Sequence, residues 1–260
     1  MDFGMPYLLE CGGIEPCAEA CARLGLRFLE LNMSFPDCTL ARLDPVRLRA
    51  LGERLGIYFT IHMDELLRPC AYDERIGEAY LEHTARAIAL AAEAGIPALN
   101  FHWERGVYVT LPDRVTYIDE RYPEAYRART LRFRETCARA SAGRVALNIE
   151  NTDGWLPFQR EAILTLLEDP TFGLTLDIGH DAVAGGVDLP FYLARLDRLR
   201  HMHAHDAVGK RCHLPFGEGE LDLRARLDLA RSSGARVVLE VKTLEALRRT
   251  VEHPLVKSCL

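Results

Sequence analysis

The chain has 260 residues, 48% of them hydrophobic and 27% charged, with a formal net charge of -6. A length near the roughly 250 residues of a (β/α)8 barrel predicts a single domain over residues 1–260. The acidic balance argues against a nucleic-acid partner, and no apolar run approaches the ~18 residues that suggest a membrane span.

In chain order, Met1 to Glu10 lacks the basic region and long apolar stretch of a secretory signal. The eight cysteines are scattered, with no CxxC pair, which predicts free thiols in a cytoplasmic protein. A first strand is expected at Tyr7–Cys11. A join then recurs in which a helical stretch ends at a glycine and an apolar, β-rich run follows. Leu24-Gly25 precedes a strand at Arg27–Asn32, and Leu55-Gly56 precedes Tyr58–Met63. Ala94-Gly95 precedes Ala98–Trp103, Ala142-Gly143 precedes Val145–Asn151, and Ser233-Gly234 precedes Val237–Lys242. Glycine just past a helix end closes the last turn in the left-handed conformation. Gly173–Asp177 and Leu199–His205 complete eight strands. Glu104 to Tyr122 reads as a long loop, a lid or a packed loop. Strands alternating with helices predict a parallel sheet. Eight repeats, with no GxGxxG after the first strand, favour an α/β fold of the single (β/α)8 TIM barrel type over a dinucleotide-binding sheet.

The strands begin apolar and end polar. Side chains alternate faces along a strand, so Asn100 and His102 share a face, as do Asn148 and Glu150, His201, His203 and His205, and Glu240 and Lys242. The residues between them (Phe101, Ile149, Met202, Ala204, Val241) are apolar and belong against the helices. So many ionisable groups at one barrel mouth need compensation. Histidine and carboxylate are usual ligands of divalent metals. Glu150, Asp177, His203 and Glu240 end four successive strands and are the candidate ligand ring. His201 reads as a core histidine, His205 is ambiguous, and Glu30 reads as an ion-pair partner.

These runs resemble the xylose isomerase-like barrel superfamily, which holds sugar-phosphate isomerases and epimerases and also endonuclease IV. The resemblance rests on His201-Met202-His203-Ala204-His205-Asp206, the segment His213 to Asp222, Ile149-Glu150-Asn151-Thr152 and Leu176-Asp177-Ile178-Gly179-His180. It implies a divalent ion (Mn, Zn, Co or Mg) held by Glu150, Asp177, His203 and Glu240. Glu150 and Glu240 would exchange protons with carbons of a sugar or polyol, and His180 would contact substrate oxygen. A second ion would draw on His62, His102, His180 and His213. Trp103, Trp155, Arg211 and Lys242 are candidate substrate contacts. Ketose 3-epimerases carry a further Glu six residues after the first metal ligand, where this chain has Leu156. The alternative, an endonuclease IV-like zinc phosphodiesterase, would want an Asp two residues before His213, where this chain has Arg211. A metal-dependent dehydratase or lyase on a cyclic polyol is a further alternative.

Overall fold

The computed structural model describes all 260 residues. The barrel strands are β1 (Phe3–Pro6), β2 (Phe28–Asn32), β3 (Tyr58–His62), β4 (Ala98–His102), β5 (Ala146–Glu150), β6 (Phe172–Asp177), β7 (Leu199–Ala204) and β8 (Arg236–Leu239). They pair in parallel, each with its neighbours in sequence, and β8 returns to β1 to close the ring. The α/β barrel predicted from the repeats is therefore the fold. No helix is long and apolar enough to cross a membrane.

The helices fall where the glycine joins place them. Pro45–Leu55 ends at Gly56 (φ 68°) and Glu74–Ala94 at Gly95 (φ 75°), both left-handed. Asp44 and Asp73 cap the starts of these helices, each carboxylate accepting two backbone N–H groups. Outward-facing Leu31, Ile61, Phe101, Ile149, Leu176, Met202 and Leu239 are at most 1% exposed and form the layer between sheet and helices.

The first strand lies earlier than expected. It is Phe3–Pro6, and Leu9–Cys11 forms a short 3-10 turn closed by left-handed Gly12. The Tyr-Leu-Leu run has stronger β propensity than Phe-Gly-Met-Pro, but packing overrides it. A Cβ on Gly4 would sit 2.6 Å from the Phe28 ring, so only glycine lets that ring fill the barrel floor. Two small hairpins lie outside the barrel. Tyr108–Thr110 pairs with Val115–Tyr117 inside the expected long loop, and Asp206–Val208 pairs with Arg211–Leu214 after β7.

Register places matching residues at one depth. Asn100 lies opposite Asn148, His102 opposite Glu150, Thr175 opposite His201, and Asp177 opposite His203. The inward face thus carries a middle polar layer and, above it, a mouth layer of ionisable groups.

Candidate metal centre

The middle layer is built around Glu30. Its Oε2 accepts from Thr60 Oγ1 at 2.8 Å and from Asn100 Nδ2. Asn100 Oδ1 in turn accepts from Thr175 Oγ1 at 2.8 Å and Asn148 Nδ2 at 3.2 Å. His201 Nε2 is 3.2 Å from Glu30 Oε2. Burial raises the pKa of Glu30, yet the charges of His203 and His201 outweigh it and hold the carboxyl well below its usual range.

Above this layer the expected ring assembles. Glu150, Asp177, His203 and Glu240 bring one potential ligand atom each to within 4.8 Å of one another. His203 Nδ1 lies 2.9 Å from Glu150 Oε1 and 3.3 Å from Glu240 Oε2. Its other nitrogen, Nε2, faces Glu30 Oε1 at 2.7 Å, an ion-pair contact out of line for a hydrogen bond. Burial lowers the pKa of His203, but the carboxylates of Glu150, Glu30 and Glu240 overcome this and hold it well above the ordinary value. Burial likewise raises Glu150, and His203 and His102 pull it well below the carboxylate range. Three carboxylates around one histidine, two of them buried and Glu240 half-buried, call for positive charge between them. Glu240 Oε2 is buried without a hydrogen-bond partner. This donor set fits a divalent cation, with Glu150, Asp177, His203 and Glu240 as its holders.

The remaining histidines flank the ring on two sides. His62 Nδ1 donates to the Met63 carbonyl at 2.8 Å, which leaves Nε2 facing Glu150 Oε2 at 3.2 Å. His102 Nε2 is 3.6 Å from Glu150 Oε1. These two and Glu150 form a second group with ligand atoms within 4.8 Å. On the other side, His180 Nε2 is 3.8 Å from Asp177 Oδ2 and its backbone N–H bonds Asp177 Oδ1 at 2.6 Å. His213 Nδ1 donates to the Glu240 carbonyl at 3.1 Å. Burial drives the His213 pKa down to about 4, so its imidazole is neutral.

The candidate substrate contacts do not gather together. Lys242 Nζ bonds Glu240 Oε1 at 2.7 Å and borders the mouth. Arg211 is exposed on the hairpin after β7. The tryptophans pack into the outer layer. Trp103 donates its indole N–H to Tyr126 at 2.7 Å, and Trp155 stacks on Tyr192 with ring centres 5.4 Å apart. Neither is among the residues lining the cavity beside His203 and Glu240. Tyr7 and Phe35, 5.6 Å apart, line the cavity of 160 Å³ that opens beside His203 and Glu240, with Asn32 and Glu65 on its rim. Sequence reasoning missed Tyr7 because the first strand was set too late. With β1 ending at Pro6, Tyr7 reads as a strand-end residue.

The family model for xylose isomerase-like TIM barrels matches residues 18–254. The chain belongs to this family. Among solved structures it is similar to a D-tagatose 3-epimerase-like protein, at 20% identity over 100% of this chain and 98% of that one, with a TM-score of 0.77. It is also similar to a 3-keto-D-glucoside 4-epimerase from E. coli (15% identity, 100% of both chains, TM-score 0.75). A third is a D-allulose 3-epimerase from Methylomonas sp. (15% identity, 92% of this chain and 83% of that one, TM-score 0.68). At these identities the likeness carries the fold. No curated protein matches the chain.

Proposed function

We propose that the protein is a divalent-metal-dependent epimerase or isomerase of a sugar or polyol, moving a proton at a carbon beside a carbonyl. The observation that carries this is the mouth layer itself, in which buried Glu150 and Asp177 and half-buried Glu240 converge with His203 and leave Glu240 Oε2 unpartnered. The solved neighbours named for sugar epimerisation support the same class. A bound divalent cation supplies Lewis acidity, polarising substrate oxygens and stabilising charge that develops as the proton leaves.

The chain's own residues do the rest. Glu150 and Glu240 flank His203 Nδ1 and serve as the acid–base pair. Burial would raise Glu240, but His203 and Lys242 hold it well below the carboxylate range, so it begins ionised and can accept a proton. His180 and neutral His213 orient substrate hydroxyls. Tyr7 and Phe35 offer an apolar wall to a sugar's carbon face, while Asn32 and Glu65 face its hydroxyls. With Leu156 at the N-cap position of the helix Pro157–Leu167, where the resemblance implies a glutamate in ketose 3-epimerases, the reacting carbon need not be C3.

The test is solvent exchange. Ketoses, keto-glycosides and keto-inositols are screened in deuterated water with Mn, Co, Zn or Mg. A substrate is expected to gain carbon-bound deuterium. Glu150→Gln and Glu240→Gln are each expected to slow exchange by roughly 10²–10⁴ while the protein still folds. Turnover without deuterium incorporation would reassign the chemistry to a hydride shift or another class.

A further inference from the structure

Asp177 is held by a histidine that the ligand ring does not include. His205 follows β7 directly and is fully buried. Its Nε2 lies 3.1 Å from Asp177 Oδ1 and 3.2 Å from Oδ2. Its Nδ1 faces the backbone N–H of His213 at 2.8 Å. A backbone N–H can only donate, so Nδ1 presents its lone pair and the ring proton sits on Nε2, where it donates to Asp177. Nδ1 is also 3.3 Å from the Asp206 carbonyl, a contact that would need the opposite tautomer. The shorter contact decides, because a proton on Nδ1 would set two N–H hydrogens against each other across 2.8 Å, whereas leaving Nδ1 bare gives up only the longer contact at 3.3 Å. His205 is close enough to His180 and His213 for the three to form a group with ligand atoms within 4.8 Å. Both of its nitrogens are nevertheless occupied.

A second observation comes from the facing helix. A Cβ on Gly179 would lie 1.9 Å from His205 Cε1. The imidazole fills the space a side chain would need, so the glycine and the ring fit as a pair. That explains the glycine of Asp177-Ile178-Gly179-His180 without any appeal to backbone strain. His213, in contrast, is held at φ 56°, a left-handed conformation rare outside glycine, and its N–H is the one bound by His205.

We infer that His205 is a positioning residue and not a metal ligand. Its Nε2–H orients the Asp177 carboxylate toward Glu150, His203 and Glu240. Its Nδ1 ties the hairpin bearing Arg211 and His213 to that carboxylate, so loop and metal ligand move together. This role rests on the metal-centre assignment proposed above.

The test uses the full chain, stripped of metal and titrated with cobalt(II), alongside NMR of the histidine ring nitrogens. In metal-free wild type, His205 is expected as the Nε2-protonated tautomer, unchanged on saturation with zinc. His205→Phe keeps a ring but removes both nitrogens. It is expected to weaken cobalt binding by roughly 10–100-fold, the usual effect of losing an outer partner of a metal ligand, at unchanged stoichiometry. It should also speed hydrogen exchange at the His213 amide. His205→Gln, which restores an N–H toward Asp177, is expected to recover part of the affinity. Gly179→Ala, which displaces the ring and leaves every titratable group in place, is expected to reproduce the loss and guards against a His205→Phe variant that fails to fold. Loss of one equivalent of cobalt in His205→Phe, with the remaining affinity intact, would overturn the inference in favour of direct ligation. Unchanged affinity and unchanged His213 exchange would overturn it outright. Wild-type protein that takes up no cobalt would instead sink the metal centre, and with it this role.

Discussion

His62 is a buried histidine whose second ring nitrogen faces a carboxylate. Its Nδ1–H is committed to the Met63 carbonyl, so the nitrogen facing Glu150 is the free one. Burial lowers its pKa, but the hydrogen bond and charge of Glu150, helped by Glu30, win and push it up to about 9. In metal-free protein near neutral pH a proton therefore stands where positive charge is wanted. A folded-state pKa above the unfolded ~6.5 means this contribution to stability is complete below that value and fades as pH rises through about 9. A metal drawing on His62 must displace the same proton, so its affinity should climb as pH rises toward about 9 and level off above it. The expected outcome is cobalt or zinc binding that tightens with pH in this way in wild type and has a flatter profile in His62→Gln. Identical slopes by calorimetric titration would show that His62 takes no part. The identity of such residues was legible because strand periodicity sorts polar from apolar positions. Their partners were not, since Glu30 and His203 are 173 positions apart and meet only through barrel closure.

Helix–glycine–strand joins were readable in the sequence because their signals are local: a left-handed glycine, a capping aspartate, an apolar run. β1 was displaced because its defining constraint, the Phe28 ring against Gly4, lies on another strand. The hairpin after β7 was invisible for a similar reason. Its organiser is Asp206, whose carboxylate accepts N–H groups from Ala207 at 2.9 Å, Gly217 at 3.0 Å, Gly219 at 2.9 Å and Leu221 at 3.1 Å. Gly219 must be glycine, since a Cβ would lie 2.3 Å from Asp206 Oδ1. The Gly-Glu-Gly-Glu run belongs to the segment that carries the family resemblance, and its physical role is to wrap one buried carboxylate. Asp206→Ala leaves the buried Ala207 N–H and three part-buried N–H groups without their acceptor, at about 1–3 kcal/mol for the buried one and less for each of the others. The variant is expected to lose about 3 kcal/mol or more of stability and to become cleavable between residues 206 and 221 in limited proteolysis. A wild-type melting curve with an uncut loop would show that the segment is held by its apolar contacts, Phe216 and Leu221 among them.

Barrels of this fold usually fill their interior with branched apolar side chains. Here the middle layer is Glu30, Thr60, Asn100, Asn148, Thr175 and His201, buried to within 3% of complete exclusion from water. Its hydrogen bonds do not satisfy every group, as Asn148 Oδ1 and both His201 nitrogens have no hydrogen-bond partner. Such a layer is weaker as a core than leucine and valine would be. It does give the mouth residues a rigid polar floor, with Glu30 set directly beneath His203. The whole molecule therefore concedes stability to its site, and a cation bound only by the folded ring should return it. Metal at 100 times its dissociation constant adds about 2.7 kcal/mol by mass action, which for a chain of this size corresponds to a rise of roughly 5–10 °C in melting temperature. Scanning calorimetry of chelator-treated protein, with and without added cobalt or manganese, is expected to show that rise. The quadruple variant Glu150→Gln, Asp177→Asn, His203→Gln, Glu240→Gln should show none, because it keeps the ring's shape and removes its charge. Equal melting temperatures with and without metal in the wild type would mean that the converging carboxylates are balanced by protons on His62 and His203 alone.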